Sequence, residues 1–261
     1  MNHIIEYNIF EKKMWYKSIK EILNYVDNLK NNMWVFLDTE TTGLLGPKYD
    51  QLTQISAIVI DPKTLEIIDT FNQKIKLTDN IKKILDDEIK PDWNRRNVLS
   101  FNHYGDKIKG KKYLDEQKVL IMFENWLDNI NNPLFIIQNA EFDMNMLNGR
   151  KKEKLKKIEI LDTKSFIQLY IIPIYQKLAE IDNTYKEKLE NIGTSIRDNG
   201  LISSSMSKWA TEFNIDSSGN HDALFDCKMI FKMFIKILDI MKENINLDIT
   251  KYQNERISSI K

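Results

Sequence analysis

A chain of 261 residues, 42% of them hydrophobic, can bury a substantial core and fits one large domain or a domain with elaborations. Its 38 basic and 38 acidic side chains cancel, which argues against a histone-like or coating protein and leaves any polyanion contact to local clusters. The single cysteine, Cys227, excludes an intramolecular disulfide framework and a CxxC zinc site, and a reducing compartment is expected.

Trp15, Ile19, Ile22, Val26 and Leu29 recur at steps of four and three, so residues 12–30 are predicted to form an amphipathic helix. Extended stretches follow near 34–38, 53–60 and 65–76. The last two are joined by Asp61-Pro62-Lys63-Thr64, a tight-turn sequence, which predicts an antiparallel meander. Residues 80–115 read as an irregular, charged insertion, followed by a second amphipathic helix carrying Val119, Phe123, Trp126, Leu127 and Ile130.

Pro133 to Gln138 reads as a short buried strand, with Asn139 placed to cap a helix through Asp143, Met146 and Leu147. A strand from Ile158 to Leu161 leads into a helix over about 164–180 that Pro173 should kink or interrupt. Residues 180–200 give no clear signal. Ser203-Ser204-Ser205-Met206 predicts a helix start leading to Trp209 and Phe213, and after Ser217-Ser218-Gly219 a last helix carries Ala223, Leu224, Ile230, Phe234 and Ile235. The run MNHIIEYNIF lacks a basic segment followed by an apolar one. Met229 to Met241 is broken by Lys232, Lys236 and Asp239, so the expectation is a soluble, cytoplasmic protein with no membrane partner.

The most informative residues are Asp38 and Glu40 in FLDTETTGL. Side chains two apart on a strand share a face, so two carboxylates stand together beside the apolar run Trp34 to Leu37. Such a pair resists desolvation unless a cation holds it or its pKa values rise, and a hard divalent ion is the natural partner. An isolated D-x-E more often ends a strand with both acids solvated. Two further acidic signatures, QNAEFDMNML at 138–147 and HDALFDC at 221–227, weigh against that.

Together the three segments resemble the motifs of the DnaQ-like (DEDDh) 3′-to-5′ exonucleases of the ribonuclease-H-like superfamily, over roughly residues 33–242. Asp38 and Glu40 match the first motif, Asp143 the aspartate of N-A-x-F-D, and His221 with Asp226 matches H-x-A-x-x-D. Gln138 departs from the histidine that many members carry before the Asn-Ala pair. The resemblance implies an α/β fold with a mixed five-stranded sheet flanked by helices. It divides the chain into an N-terminal helical extension (1–32), the exonuclease domain (33–242) and a polar tail (243–261).

It also implies metal-dependent hydrolysis at a 3′ end by two ions, Mg2+ or Mn2+, held by Asp38, Glu40, Asp143 and Asp226. Phosphodiester hydrolysis needs an activated water, an oxygen clamp and charge relief on the leaving oxygen, and two cations about 3.5–4 Å apart supply all three. His221 is the expected general base.

Thr41, Thr42, Leu44, Asn139 and Phe142 are candidate substrate contacts, although the two threonines and Leu44 equally suit loop shaping and Phe142 suits the core beside Asp143 better than a stack on a base. Asp222 is expected to favour a helix N-terminus, Asp162, Asp92 and Cys227 to be structural, and His103 and His3 to be incidental. Two basic clusters, Lys107 to Lys112 and Arg150 to Lys157, could track phosphates, with Trp93, Tyr104 and Tyr113 near the first as stacking candidates. The expected partner is nucleic acid with a 3′ end, single-stranded DNA favoured and RNA possible, with a polymerase or replication protein as a further possible partner. The alternatives are an RNA-trimming enzyme and a noncatalytic binding module of the same fold.

Overall fold

The computed structural model describes residues 17–86, 92–101, 113–148, 155, 158–195 and 200–260. The chain divides into two compact units: the segment up to Lys30 with Leu161–Ser217 and Met229–Lys261, and Asn31–Ile160 with Ser218–Lys228. Each is taken by itself.

Helix α1 (Ile19–Asn28), in the first unit, starts later than the predicted 12–30, because Ser18 and Glu21 form a reciprocal capping box. Its buried stripe is Ile19, Ile22, Leu23 and Val26. Trp15 lies outside the described residues.

The second unit holds the meander. Strands β1 (Met33–Thr41), β2 (Leu52–Ile60) and β3 (Ile67–Lys74) pair antiparallel in sequence order. The β2–β3 turn forms at Asp61, whose Oδ1 accepts the Lys63 N–H at 2.8 Å. Every residue of β2 is buried, as expected of an inner strand covered on both faces.

The insertion is more regular than its composition suggests. It contains α2 (Asp79–Asp86) and α3 (Trp93–Phe101), and the signals passed over were their caps. Thr78 Oγ1 accepts from Ile81 N at 3.5 Å, and Asp92 Oδ1 accepts from Arg95 N at 3.0 Å. Helix α4 (Glu116–Leu127) follows, with Ile130 in the turn beyond it. Strand β4 (Pro133–Ile137) lies parallel to β1, and α5 (Ala140–Asn148) starts directly after Asn139. Asn139 has φ 61, a left-handed conformation that asparagine tolerates, where an N-cap is usually extended. Strand β5 (Glu159–Asp162) completes a mixed five-stranded sheet in the order β3-β2-β1-β4-β5.

In the first unit, α6 (Thr163–Phe166), capped by Asp162, runs through a π-helical turn at Ile167–Ile171 into α7 (Ile172–Leu178). The regular α-helix is thus interrupted just before Pro173, as expected, and α7 restarts with that proline in its first turn. Pro173 has no N–H to give Leu169, and the Leu169 carbonyl instead accepts from Gln253 Nε2 at 3.0 Å. The unassigned stretch 180–200 contains α8 (Asn183–Ile192), and α9 (Met206–Glu212) starts after Ser205 as predicted. Helix α10 (Ala223–Glu243) begins in the sheet unit and continues in this one. Within the stretch 243–261, α11 (Thr250–Ile260) buries Gln253, Arg256 and Ile257.

Among the described residues no helix is long and apolar enough to cross a membrane. His3, His103, Tyr104, the Lys107 to Lys112 cluster, and Arg150, Lys151, Lys152, Lys154, Lys156 and Lys157 lie outside the described residues.

Candidate active site

The site stands where β1 outruns its neighbour. β4 pairs with β1 only as far as Phe36↔Ile136, whereas β1 continues to Thr41. On the other side, β2 places Ser56 opposite Asp38 and Gln54 opposite Glu40. The register shifts between Glu40 and Thr41, an irregularity that re-aims side chains at a strand end.

Alternation puts Asp38 and Glu40 on one face and Thr39 on the other. The Thr39 N–H, past the last β4 pair, donates to Asp143 Oδ1 at 2.9 Å, and the Thr39 hydroxyl donates to the same oxygen at 2.6 Å. A carboxylate from α5 thus takes the place of a ladder partner.

Helix α10 supplies the third piece. Cys227 Sγ donates to the Ser56 carbonyl at 3.2 Å, docking the helix start on the residue opposite Asp38. One turn earlier, Asp222 caps the helix, its Oδ1 accepting from Leu224 N at 3.2 Å and Phe225 N at 3.4 Å. Its other oxygen meets Lys74 Nζ at 3.4 Å. Gly219 has no room for a side chain, since a Cβ there would stand 2.4 Å from the Phe225 ring. These anchors leave Asp226 inside the cluster and His221 in the turn just before α10, as its spacing predicted, exposed and at φ 68.

Asp38, Glu40 and Asp226 each bring a carboxylate oxygen within 4.8 Å of the others. The surrounding protein strips water from Asp38 and holds its carboxyl well above the ordinary range, with Asp143, then Asp226, Glu40 and Asp222 adding repulsion. Burial, followed by the Asp38, Asp226 and Asp143 charges, likewise pushes the Cys227 thiol up, which keeps it neutral and structural. A set of hard oxygen donors under mutual repulsion fits a Mg2+- or Mn2+-like ion. Asp143 stands beside this group and outside its tightest cluster, its Oδ1 already carrying two hydrogen bonds.

Of the candidate contacts, Thr41 and Thr42 are buried and occupied within the loop. Thr41 Oγ1 donates to the Gly43 carbonyl at 2.7 Å, and Thr42 Oγ1 donates to Asp50 Oδ1 at 3.2 Å while accepting from Gln51 N at 3.0 Å. Their hydroxyls shape the loop. Leu44 is 62% exposed and accessible to a ligand, Phe142 is half-buried, and Asn139 sits at the α5 start. Asp162 and Asp92 are helix caps, as expected of structural acids. Thr39, Asp50 and Lys74 were not singled out from the sequence. Thr39 lay inside the motif, but nothing in one strand's sequence tells which long-range carboxylate its hydroxyl meets.

The RNase_T family, described as exonuclease, matches residues 35–234. The DNA polymerase III PolC-type of Staphylococcus haemolyticus is 24% identical over 234 residues, which are 89% of this chain and 13% of that protein. The Staphylococcus epidermidis protein of the same description is 24% identical over 227 residues, 86% of this chain and again 13% of that protein. The chain therefore spans a small part of the curated relatives it matches. Among solved structures, S. pombe Pop2p in a Mg2+- and Mn2+-bound form has a TM-score of 0.53 at 12% identity, covering 90% of this chain and 94% of that one. E. coli Exonuclease I in complex with a dT13 oligonucleotide has a TM-score of 0.52 at 16% identity, covering 87% and 46%. At these identities the structural likeness speaks for the fold.

Proposed function

The chain belongs to the RNase_T exonuclease family, and from that premise we propose that it removes nucleoside monophosphates stepwise from the 3′ end of single-stranded DNA, with two divalent cations, Mg2+ or Mn2+. The observation that carries this reading is the meeting of Asp38, Glu40 and Asp226 within 4.8 Å. When bound, such ions supply an activated water and relieve charge on the departing 3′ oxygen. Asp38, at the centre of the repulsion, would hold such ions together with Glu40 and Asp226. Asp143, fixed by Thr39, would add a further carboxylate ligand.

His221, exposed at the rim, takes the proton from the attacking water. Its exposure lets that proton pass on to solvent. Leu44 and its loop, with Asn139 and Phe142 on the α5 side, receive the terminal nucleotide. Single-stranded DNA is favoured over RNA because the curated relatives are DNA polymerases and the E. coli Exonuclease I of like fold holds dT13. The same relatives favour a replication polymerase as a partner.

The test is digestion of 5′-labelled single-stranded DNA, duplex DNA and RNA, with and without Mg2+ or Mn2+. A ladder shortening from the 3′ end, fastest on single-stranded DNA and absent in chelator, is expected. Cutting of circular single strands as readily as linear ones would refute it.

A further inference from the structure

The loop after β1, residues 43–50, presents Leu44, Leu45 and Tyr49 to solvent at 62%, 70% and 54% exposure. Three large apolar side chains on one short loop are costly to leave in water, and a loose loop would fold them inwards. This loop is held from beneath. Asp50, its side chain fully buried, accepts from Leu45 N at 2.7 Å and Thr42 Oγ1 at 3.2 Å. Gly43 passes so close that a Cβ there would stand 2.5 Å from Asp50 Oδ1. The charge is met by Arg95 of α3, which donates from Nε to Asp50 Oδ1 at 2.9 Å and from Nη2 to the Tyr49 carbonyl at 2.7 Å. Its Nη1 donates to Asp92, the cap of its own helix, so the guanidinium is fixed at both ends. Lys48 Nζ lies 5.2 Å from the centre of the Tyr49 ring, placing a cation beside the apolar edge.

We propose that Arg95 is a positioning residue, which locks the 43–50 loop so that Leu45 and Tyr49 form a fixed apolar edge for the nucleobases at the 3′ end of the bound strand. The proposal rests on the exonuclease reading above and assigns a purpose to the helical insertion. The loop starts three residues after Glu40, so a strand whose scissile phosphate lies at the carboxylates must pass it. Its apolar faces with an adjacent cation match a chain of stacked bases on a polyanionic backbone, and an uncharged apolar peptide would have no use for the lysine. Preorganisation is the role of the buried pair: a clamped edge loses little freedom when a base settles on it.

The test is steady-state hydrolysis of 5′-labelled oligo-dT by the full chain with Mn2+. Arg95→Ala should raise KM about tenfold with kcat within about twofold, the size of one lost stacking contact. Leu45→Ala, at an exposed position that cannot disturb the fold, should raise KM in the same sense, and it carries the test if Arg95→Ala does not fold. Abasic sugars at the last two 3′ positions should weaken binding by the native protein and make little difference to Arg95→Ala. An unmoved KM in Leu45→Ala and Arg95→Ala, or undiminished discrimination against abasic ends by Arg95→Ala, overturns the inference. If the native protein yields no 3′ ladder, the exonuclease reading itself fails, whereas a ladder with unmoved KM values sinks only the role given to Arg95.

Discussion

The main-chain N–H of His221 donates to Asp226 Oδ2 at 3.0 Å, so the residue read as the base is tied through its backbone to one of the clustered carboxylates. The imidazole is left to its exposed position, while φ 68 fixes the direction from which it enters.

The replacement that isolates the imidazole is therefore asparagine, which tolerates a left-handed backbone. His221→Asn should lose roughly 10²- to 10⁴-fold in turnover while Mn2+ binding, measured by calorimetry, stays near native. Equal turnover in the two proteins would leave His221 as a turn residue only.

The carboxyl of Asp38 makes a pH prediction. Its folded pKa lies above the ordinary 3.8 through burial and then the neighbouring carboxylates. Between those two values the native state holds more protons than the unfolded one, so stability falls as pH rises through the window. In chelator the melting temperature should drop from pH 4 upwards, and Mg2+ or Mn2+ should offset the drop. Asp38→Asn should melt higher and with a flatter pH dependence without metal, yet lose turnover roughly 10³-fold or more, as when one member of a catalytic unit is removed. Thermal melts across pH, with and without chelator, check the first statement and gel assays the second.

Thr39 fixes Asp143 by two donors, and only one of them is a side chain. Thr39→Val keeps the shape and the N–H but loses the hydroxyl, and partners of a metal ligand typically matter by about 10- to 100-fold. A fall of that size in Mn2+ affinity and turnover is expected, with Thr39→Ser close to native. If Val and Ser behave alike, the hydroxyl does not position Asp143.

Gln253 gives a prediction away from the site. Gln253→Met removes the buried amide that donates to the Leu169 and Lys17 carbonyls, a loss of about 0.5–1.5 kcal/mol per hydrogen bond. Urea unfolding should register it as a lower midpoint with little change in slope.

Much of the sheet unit was legible because period-two and period-four patterns report directly on burial. β1, β2, β3 and α4 fell close to where alternation and spacing put them. The three acidic motifs likewise located Asp38, Glu40 and Asp226, whose joint placement needed only strand, helix and order. What escaped depended on partners far away in sequence. Arg95 reads as one more charge in a polar stretch until Asp50, 45 residues earlier, is seen beneath it. Gln253 reads as part of a polar tail until its partner, the Leu169 carbonyl 84 residues earlier, is seen. Helices α2 and α3 were missed for a local reason: their caps, Thr78 and Asp92, were visible, but the charges of the stretch and Pro91 outweighed them.

The mixed topology of the sheet has a kinetic consequence. β1, β2 and β3 are joined by short connections and can pair early, whereas β4, and with it Asp143, waits for a long closure, and Asp226 for a longer one still. The carboxylates therefore meet only after the folding barrier, if the meander forms the nucleus. Divalent cations should then act on the escape from the native state: in a denaturant chevron, Mn2+ should lower the unfolding limb and leave the refolding limb where it was. The acidic centre would thus owe its lifetime, more than its formation, to the ions it holds.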